Sequence, residues 1–133
     1  MLATIVHKLK KRGKTFKNHP MLKNDVLGAY FRYIQFNLIQ YIWPKKREYN
    51  WIKGLKFYAE KGDAGIVANI YVKLHDYEDS MFVMNMLKEN DLFVDVGANV
   101  GHFSLLAAGV SKARVIALEP IASSFKKLYD NVR

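Results

Sequence analysis

The sequence predicts an α/β fold with a parallel sheet, reached through a leader of helix and β-hairpin. Three observations carry this. Leu92–Val96 is a short apolar run, broken only by Asp95, that runs into a glycine turn. Arg114–Leu118 is a second such run and ends at an acid, Glu119. Between Leu27 and Ile42 apolar residues recur every three or four positions, the period of one helix face. At 133 residues, half of them hydrophobic and 14% aromatic, the chain suits one ordinary domain with a packed core.

The charge is unevenly placed. Residues 1–53 hold twelve Lys/Arg against two Asp/Glu, a net of +10, whereas residues 54–133 hold nine against ten, a net of −1. The basic character therefore belongs to a leader and not to the glycine turn. It reads as a solvated, partly disordered arm, with contact to anionic lipid or nucleic acid as the sharper alternatives. No specific nucleic-acid binding is expected. No run of about 18 apolar residues exists, so no transmembrane helix is expected. The apolar start Met1–Val6 precedes its lysines, the reverse of a secretory signal. Without cysteine there are no disulfides, thiolate metal sites or cysteine nucleophiles, which suits a cytoplasmic protein, and no metal site is expected.

The elements follow in order. Residues 1–20 form a basic lead-in ending at Pro20. Asn24 or Asp25 caps a helix to about Trp43, with Leu27, Tyr30, Phe31, Ile34, Leu38, Tyr41 and Ile42 on one face. That stripe reads as a packing surface, with membrane-surface contact as the alternative; Arg32 and Gln40 fall off it, and Phe36 stands opposite. Strands near Leu55–Ala59 and Ile66–Val72 flank the turn signal Lys61-Gly62-Asp63-Ala64-Gly65 and read as a hairpin. Asp76 or Asp79 caps a helix to about Lys88, with Met81, Val83, Met84 and Leu87 on its apolar side. The organisation expected is a basic helical leader over 1–53, a hairpin and helix over 54–90, and the start of a ligand-binding core over 91–133.

Leu92–Val96 reads as a strand buried on both faces, as in a parallel sheet. Gly97-Ala98-Asn99-Val100-Gly101 is the turn, followed by a helix to about Ala108 closed by Gly109. Arg114–Leu118 is the second strand, and Ile121–Val132 a helix capped near Ser123. Strand, glycine turn, helix, strand and acid make the first half of a Rossmann-like nucleotide site. Gly97 permits a sharp bend and close approach of a ligand, and Gly101 lets the helix pack near the strand. The helix N-terminus offers unpaired N–H groups. Glu119, 22 residues after Gly97, stands where a carboxylate accepts both ribose hydroxyls.

The turn also separates candidate nucleotides. Dinucleotide sites read G-x-G-x-x-G; this one is a residue shorter, with Asn99 in the middle and Asp95 two residues before Gly97. An acid repels a pyrophosphate but suits the ammonium and sulfonium of S-adenosylmethionine. The expected cofactor is therefore S-adenosyl-L-methionine. The residues expected to bind it are Asp95, Gly97, Ala98, Asn99, Gly101, Glu119 and Pro120.

With Asp95-Val96-Gly97-Ala98-Asn99-Val100-Gly101 the chain resembles the FkbM family of S-adenosylmethionine-dependent class I methyltransferases. Asn18-His19-Pro20, Asn69-Ile70-Tyr71, Leu74-His75, Asp91-Leu92-Phe93-Val94 and Leu118-Glu119-Pro120-Ile121 extend the resemblance from about Asn18 to Arg133. It departs at Ala68, where relatives usually have Gly, and at Asp76, where they often have Glu. The resemblance implies methyl transfer to a hydroxyl oxygen of a small molecule, commonly a sugar or natural product, by in-line displacement. It also implies a seven-stranded sheet, of which this chain carries the first two βα units, so the chain is expected to be truncated. The acceptor pocket would lie beyond Arg133, so no catalytic residue is assigned, and the chain alone is expected to be inactive. The reading from a different class is a non-catalytic basic module that binds an anionic surface or a partner.

Overall fold

The computed structural model describes residues 12–63 and 65–133. The basic start at residues 1–11 lies outside them, as does Ala64 of the expected hairpin turn. Residues 12–18 form the first helix (α1), followed by a 3-10 turn at Pro20–Leu22 and helix α2, Val26–Ile42. A hairpin of β1 (Arg47–Asn50) and β2 (Lys56–Ala59) leads to two helices, α3 (Ala68–Val72) and α4 (Tyr77–Met86). The last part is β3 (Leu92–Val96), α5 (His102–Gly109), β4 (Arg114–Leu118) and α6 (Ala122–Asn131).

α2 has the expected length, and Asp25 takes its N-cap position without a side-chain capping bond, but the helix faces the other way. Ala29, Phe36 and Gln40 are its buried residues, while Leu27 (85% exposed), Phe31, Ile34, Leu38, Tyr41 and Ile42 stand in solvent. Periodicity names the residues that share a face but not the direction in which it points. Direction is set here by α1 and α3. Phe16 and Tyr71 fill the inward side, with Phe16 edge-on to Tyr30 at 5.1 Å and Tyr71 to Tyr33 at 5.2 Å. Gln40 is tolerated inside because its Nε2 donates to Lys45 O (2.9 Å) and its Oε1 accepts from Lys61 N (3.2 Å).

The hairpin exists, but between other segments. β1 and β2 are antiparallel, with Arg47 opposite Ala59 and Asn50 opposite Lys56. Ile66–Val72 is a turn and helix, not a strand. Ile66, Asn69 and Val72 are buried at a spacing of three, which a strand would place on alternating faces. Asn69 requires the helix, since its side chain must reach both His75 N and His102. β1 gives no strand signal in the sequence, because Arg47-Glu48-Tyr49-Asn50 carries charge where strands are usually β-branched. The hairpin straddles the expected boundary at residue 53. One apolar cluster joins Trp51, Phe57 and Ile66 to Leu74, Val100 and Leu106, so leader and glycine-turn region share a core.

The C-terminal part forms where expected. β3 and β4 are parallel, with Leu92 beside Arg114 and Val96 beside Leu118. α5 and α6 share one side of this pair and form a groove with β4 lined by Ser104, Val115, Ala117, Phe125 and Leu128. The other side is open, which corrects the expectation of a strand buried on both faces. Leu92, Val94 and Val96 (78% exposed) face solvent with Ile116 and Leu118. Among the described residues β3 pairs only with β4. Gly109 does not end α5 through a left-handed conformation; its missing side chain makes room for Leu55. Among the described residues no helix is long and apolar enough to cross a membrane.

Candidate functional site

β3 and β4 end in register, so the turn at 97–101 and Glu119 leave the sheet at the same edge. In open α/β sheets the ligand crevice lies at this carboxyl edge. The amides of Gly97 and Ala98 both donate to Leu118 O (2.8 and 3.0 Å), folding the turn over the tip of β4. Gly101 N donates to Ala98 O (2.8 Å) and closes the turn into α5. Three residues take positive φ: Gly97 (79°), Asn99 (51°) and Gly101 (97°). Asn is among the few side chains that accept this region.

The two glycines are needed for different reasons. A Cβ on Gly97 would meet nothing within 4 Å, so the backbone there lies open to an approaching molecule. A Cβ on Gly101 would stand 2.9 Å from Leu128 Cδ1. Gly101 thus makes room for α6, whereas the expectation was closer packing of α5 on its strand.

Glu119 bridges the mouth of the turn. Its Oε2 accepts from Asn99 N and its Oε1 from Ile121 N, both at 2.8 Å. A carboxylate has about four acceptor positions, so roughly two remain after these bonds. Asp95 is placed differently. It is 8% exposed, and its Oδ2 accepts from Ser104 Oγ at 2.6 Å beneath α5. Of the expected set, Gly97, Asn99, Glu119 and Pro120 lie on the accessible edge, while Asp95, Ala98 and Gly101 are buried behind it. A polar recess beside the turn is lined by Gly62, Asp63, Asn99, Ser123, Ser124 and Lys127. Lys127 reaches into it to pair with Asp63 and, at 3.2 Å, with Glu60.

Two supports of the turn left no trace in the sequence pattern. Asn131, in the last turn of α6, donates from Nδ2 to Val100 O (2.8 Å) and accepts at Oδ1 from Tyr58 N (2.6 Å). One side chain thereby ties α6, the turn and β2 together. The second support is His102. It is buried between Trp51 (5.3 Å between ring centres) and Phe103 (4.7 Å). Asn69 Oδ1 accepts from His75 N (2.6 Å), so Asn69 Nδ2 faces the imidazole and donates to Nδ1 (2.9 Å). The ring proton is therefore on Nε2, which donates to Ser80 Oγ (2.8 Å), and Ser80 donates to His75 O (3.1 Å). His19 joins the same corner from the leader, with Nε2 donating to Leu74 O at 2.8 Å. Asn69 and Ser80 thus hold the first turn of α5 through His102, and His75 holds both of them in place. Asp76 occupies the N-cap position of α4 as expected, but its side chain makes no capping bond.

Burial lowers the His102 pKa from 6.5 to about 4. Protonating Nδ1 would also oppose it to the Asn69 NH2. The folded value lies below the unfolded one, so stability from the neutral ring is complete above about pH 6.5 and is lost as pH falls towards 4. A shift of this size is worth about 3 kcal/mol. Urea unfolding at pH 7 and pH 4 should show a loss of that order, and His102→Gln should lose correspondingly less. A parent and variant with the same pH slope would remove His102 from this role.

No family model and no curated protein matches the chain. Solved structures do. TYW2 of Pyrococcus horikoshii, in complex with MeSAdo, is similar at 25% identity over 65% of this chain, with a TM-score of 0.51. A provisionally assigned transferase of the same organism is 29% identical over 65% of this chain, with a TM-score of 0.49. The chain spans 30% of the length of each. The likeness to TYW2 supports a mixed α/β fold like that of S-adenosylmethionine-dependent methyltransferases.

Proposed function

We propose that this chain is the cofactor-binding portion of an S-adenosylmethionine-dependent methyltransferase, acting on a hydroxyl oxygen of a small molecule such as a sugar. The carrying observation is the glycine turn with Glu119 held across its mouth by Asn99 N and Ile121 N. MeSAdo, an S-adenosylmethionine analogue, in the TYW2 complex supports this choice of ligand. The FkbM reading rests on the resemblance that runs from about Asn18 to Arg133.

The residues present fit this cofactor. Open space over Gly97 admits an adenosyl group without a Cβ in the way. The remaining acceptor positions of Glu119 suit the ribose hydroxyls. Asp95 places negative charge behind the turn, which favours a ligand with cationic groups over a pyrophosphate. Ala98, Asn99, Gly101 and Pro120 shape the backbone around it. When bound, S-adenosylmethionine supplies a methyl group on a cationic sulfur, and the part of this chain is to bind and orient it. No residue here is assigned to move the acceptor's proton.

Equilibrium dialysis tests the reading. S-adenosylmethionine should be retained by the chain and displaced by S-adenosylhomocysteine, with NAD retained less. Preferential retention of NAD would overturn it.

A further inference from the structure

Among the described residues, the outward stripe of α2 belongs to neither apolar cluster. Leu27, Phe31, Ile34, Leu38, Tyr41 and Ile42 are all exposed, and at about 100° per residue they lie along one line of the helix. The stripe runs for roughly 22 Å at about 1.5 Å per residue. The one other exposed side chain on the helix is Gln35, and α2 contains no Asp or Glu. Exposed cations stand beyond both ends, Lys23 before the helix and Lys45 after it, with Trp43 (62% exposed) beside Lys45, while the neighbouring Lys46 is taken up by Asp130. Among the described residues Lys23 and Lys45 have no ion-pair partner. Asp25, the acid at the helix start, is taken up by Arg32 (2.9 Å) and Lys73 (3.1 Å).

A contiguous apolar patch of this kind marks an interaction surface. Its charge selects the occupant. Cationic ends around a stripe without acids complement an anionic, apolar-cored surface. Tyr and Trp near one end suit the headgroup level, and lysines extend their stems along the interface to keep their ammonium groups among the headgroups.

We propose that α2 lies in the interfacial plane of an anionic lipid bilayer and docks the protein there by its outward stripe. The proposal rests on α2 and its flanking lysines alone, and stands apart from the cofactor reading.

Sedimentation with vesicles tests it. The chain should bind phosphatidylcholine vesicles containing phosphatidylserine and bind pure phosphatidylcholine much less. Trp43 emission should move to shorter wavelength on binding, while Trp51, already buried, gives an unchanged background. The double variant Phe31→Glu, Leu38→Glu should reduce partitioning at least tenfold. Both side chains are exposed, so its circular dichroism should match the parent. Lys45→Gln should reduce binding roughly fivefold, the factor that matches about 1 kcal/mol per lysine at an anionic surface. Equal binding to neutral and anionic vesicles would overturn the proposal, as would undiminished binding by the double variant. A double variant that dissolves a dimer, in a chain that binds no vesicles, would assign the stripe to self-association instead.

Discussion

Gly101→Val should destabilise the protein by about 4 kcal/mol. Two effects add. A β-branched residue at φ +97° is strained by roughly 1–3 kcal/mol. Its Cβ would also stand 2.9 Å from Leu128 Cδ1, so that buried side chain must shift towards the groove it lines, and overpacking costs about 1–3 kcal/mol. Gly97→Ala is the informative control. Its φ is also positive, but nothing lies within 4 Å of the added carbon, so only the strain remains. Urea unfolding of the two variants should therefore rank Gly101→Val well below Gly97→Ala. Equal stabilities would show that α6 does not close on the turn.

Glu119→Ala should weaken S-adenosylmethionine binding about 10- to 100-fold, as expected for loss of hydrogen bonds to a charged group worth roughly 1.5–3 kcal/mol. The carboxylate also caps Asn99 N and Ile121 N, but both bonds lie at the exposed edge, where water replaces them. Global stability should change little while affinity falls. Calorimetry gives the affinity and urea unfolding the stability. Unchanged affinity would remove Glu119 from the site, and a large loss of stability would make it a structural cap.

The glycine-turn region was readable because its signals are local. Leu92–Val96 and Arg114–Leu118 match β3 and β4 residue for residue, since short apolar runs bounded by polar residues and a glycine turn leave little choice. α6 ends within a residue of its expected bounds for a similar reason. The leader was less legible because its structure is decided by distant partners. Whether the stripe of α2 turns inward depends on Phe16 and Tyr71, which compete for the same space from outside the helix. Whether 66–72 is strand or helix depends on Asn69 finding His75 and His102. Within the candidate site, Gly97, Asn99 and Glu119 stand out by type and spacing. Asn131 and Ser80 did not, because an asparagine at a helix end and a serine in a helix are ordinary there. Asp95 stands out in the sequence by its charge, but its bond to Ser104 belongs to tertiary packing.

Amide chemical shifts followed by NMR during titration with S-adenosylmethionine test the central claim most directly. Saturable changes should concentrate on Gly97, Ala98 and Asn99 and on the residues around Glu119, and be much smaller with NAD at the same concentration. Shifts centred elsewhere, or larger shifts of the same amides with NAD, would contradict a methyl-donor site at the glycine turn.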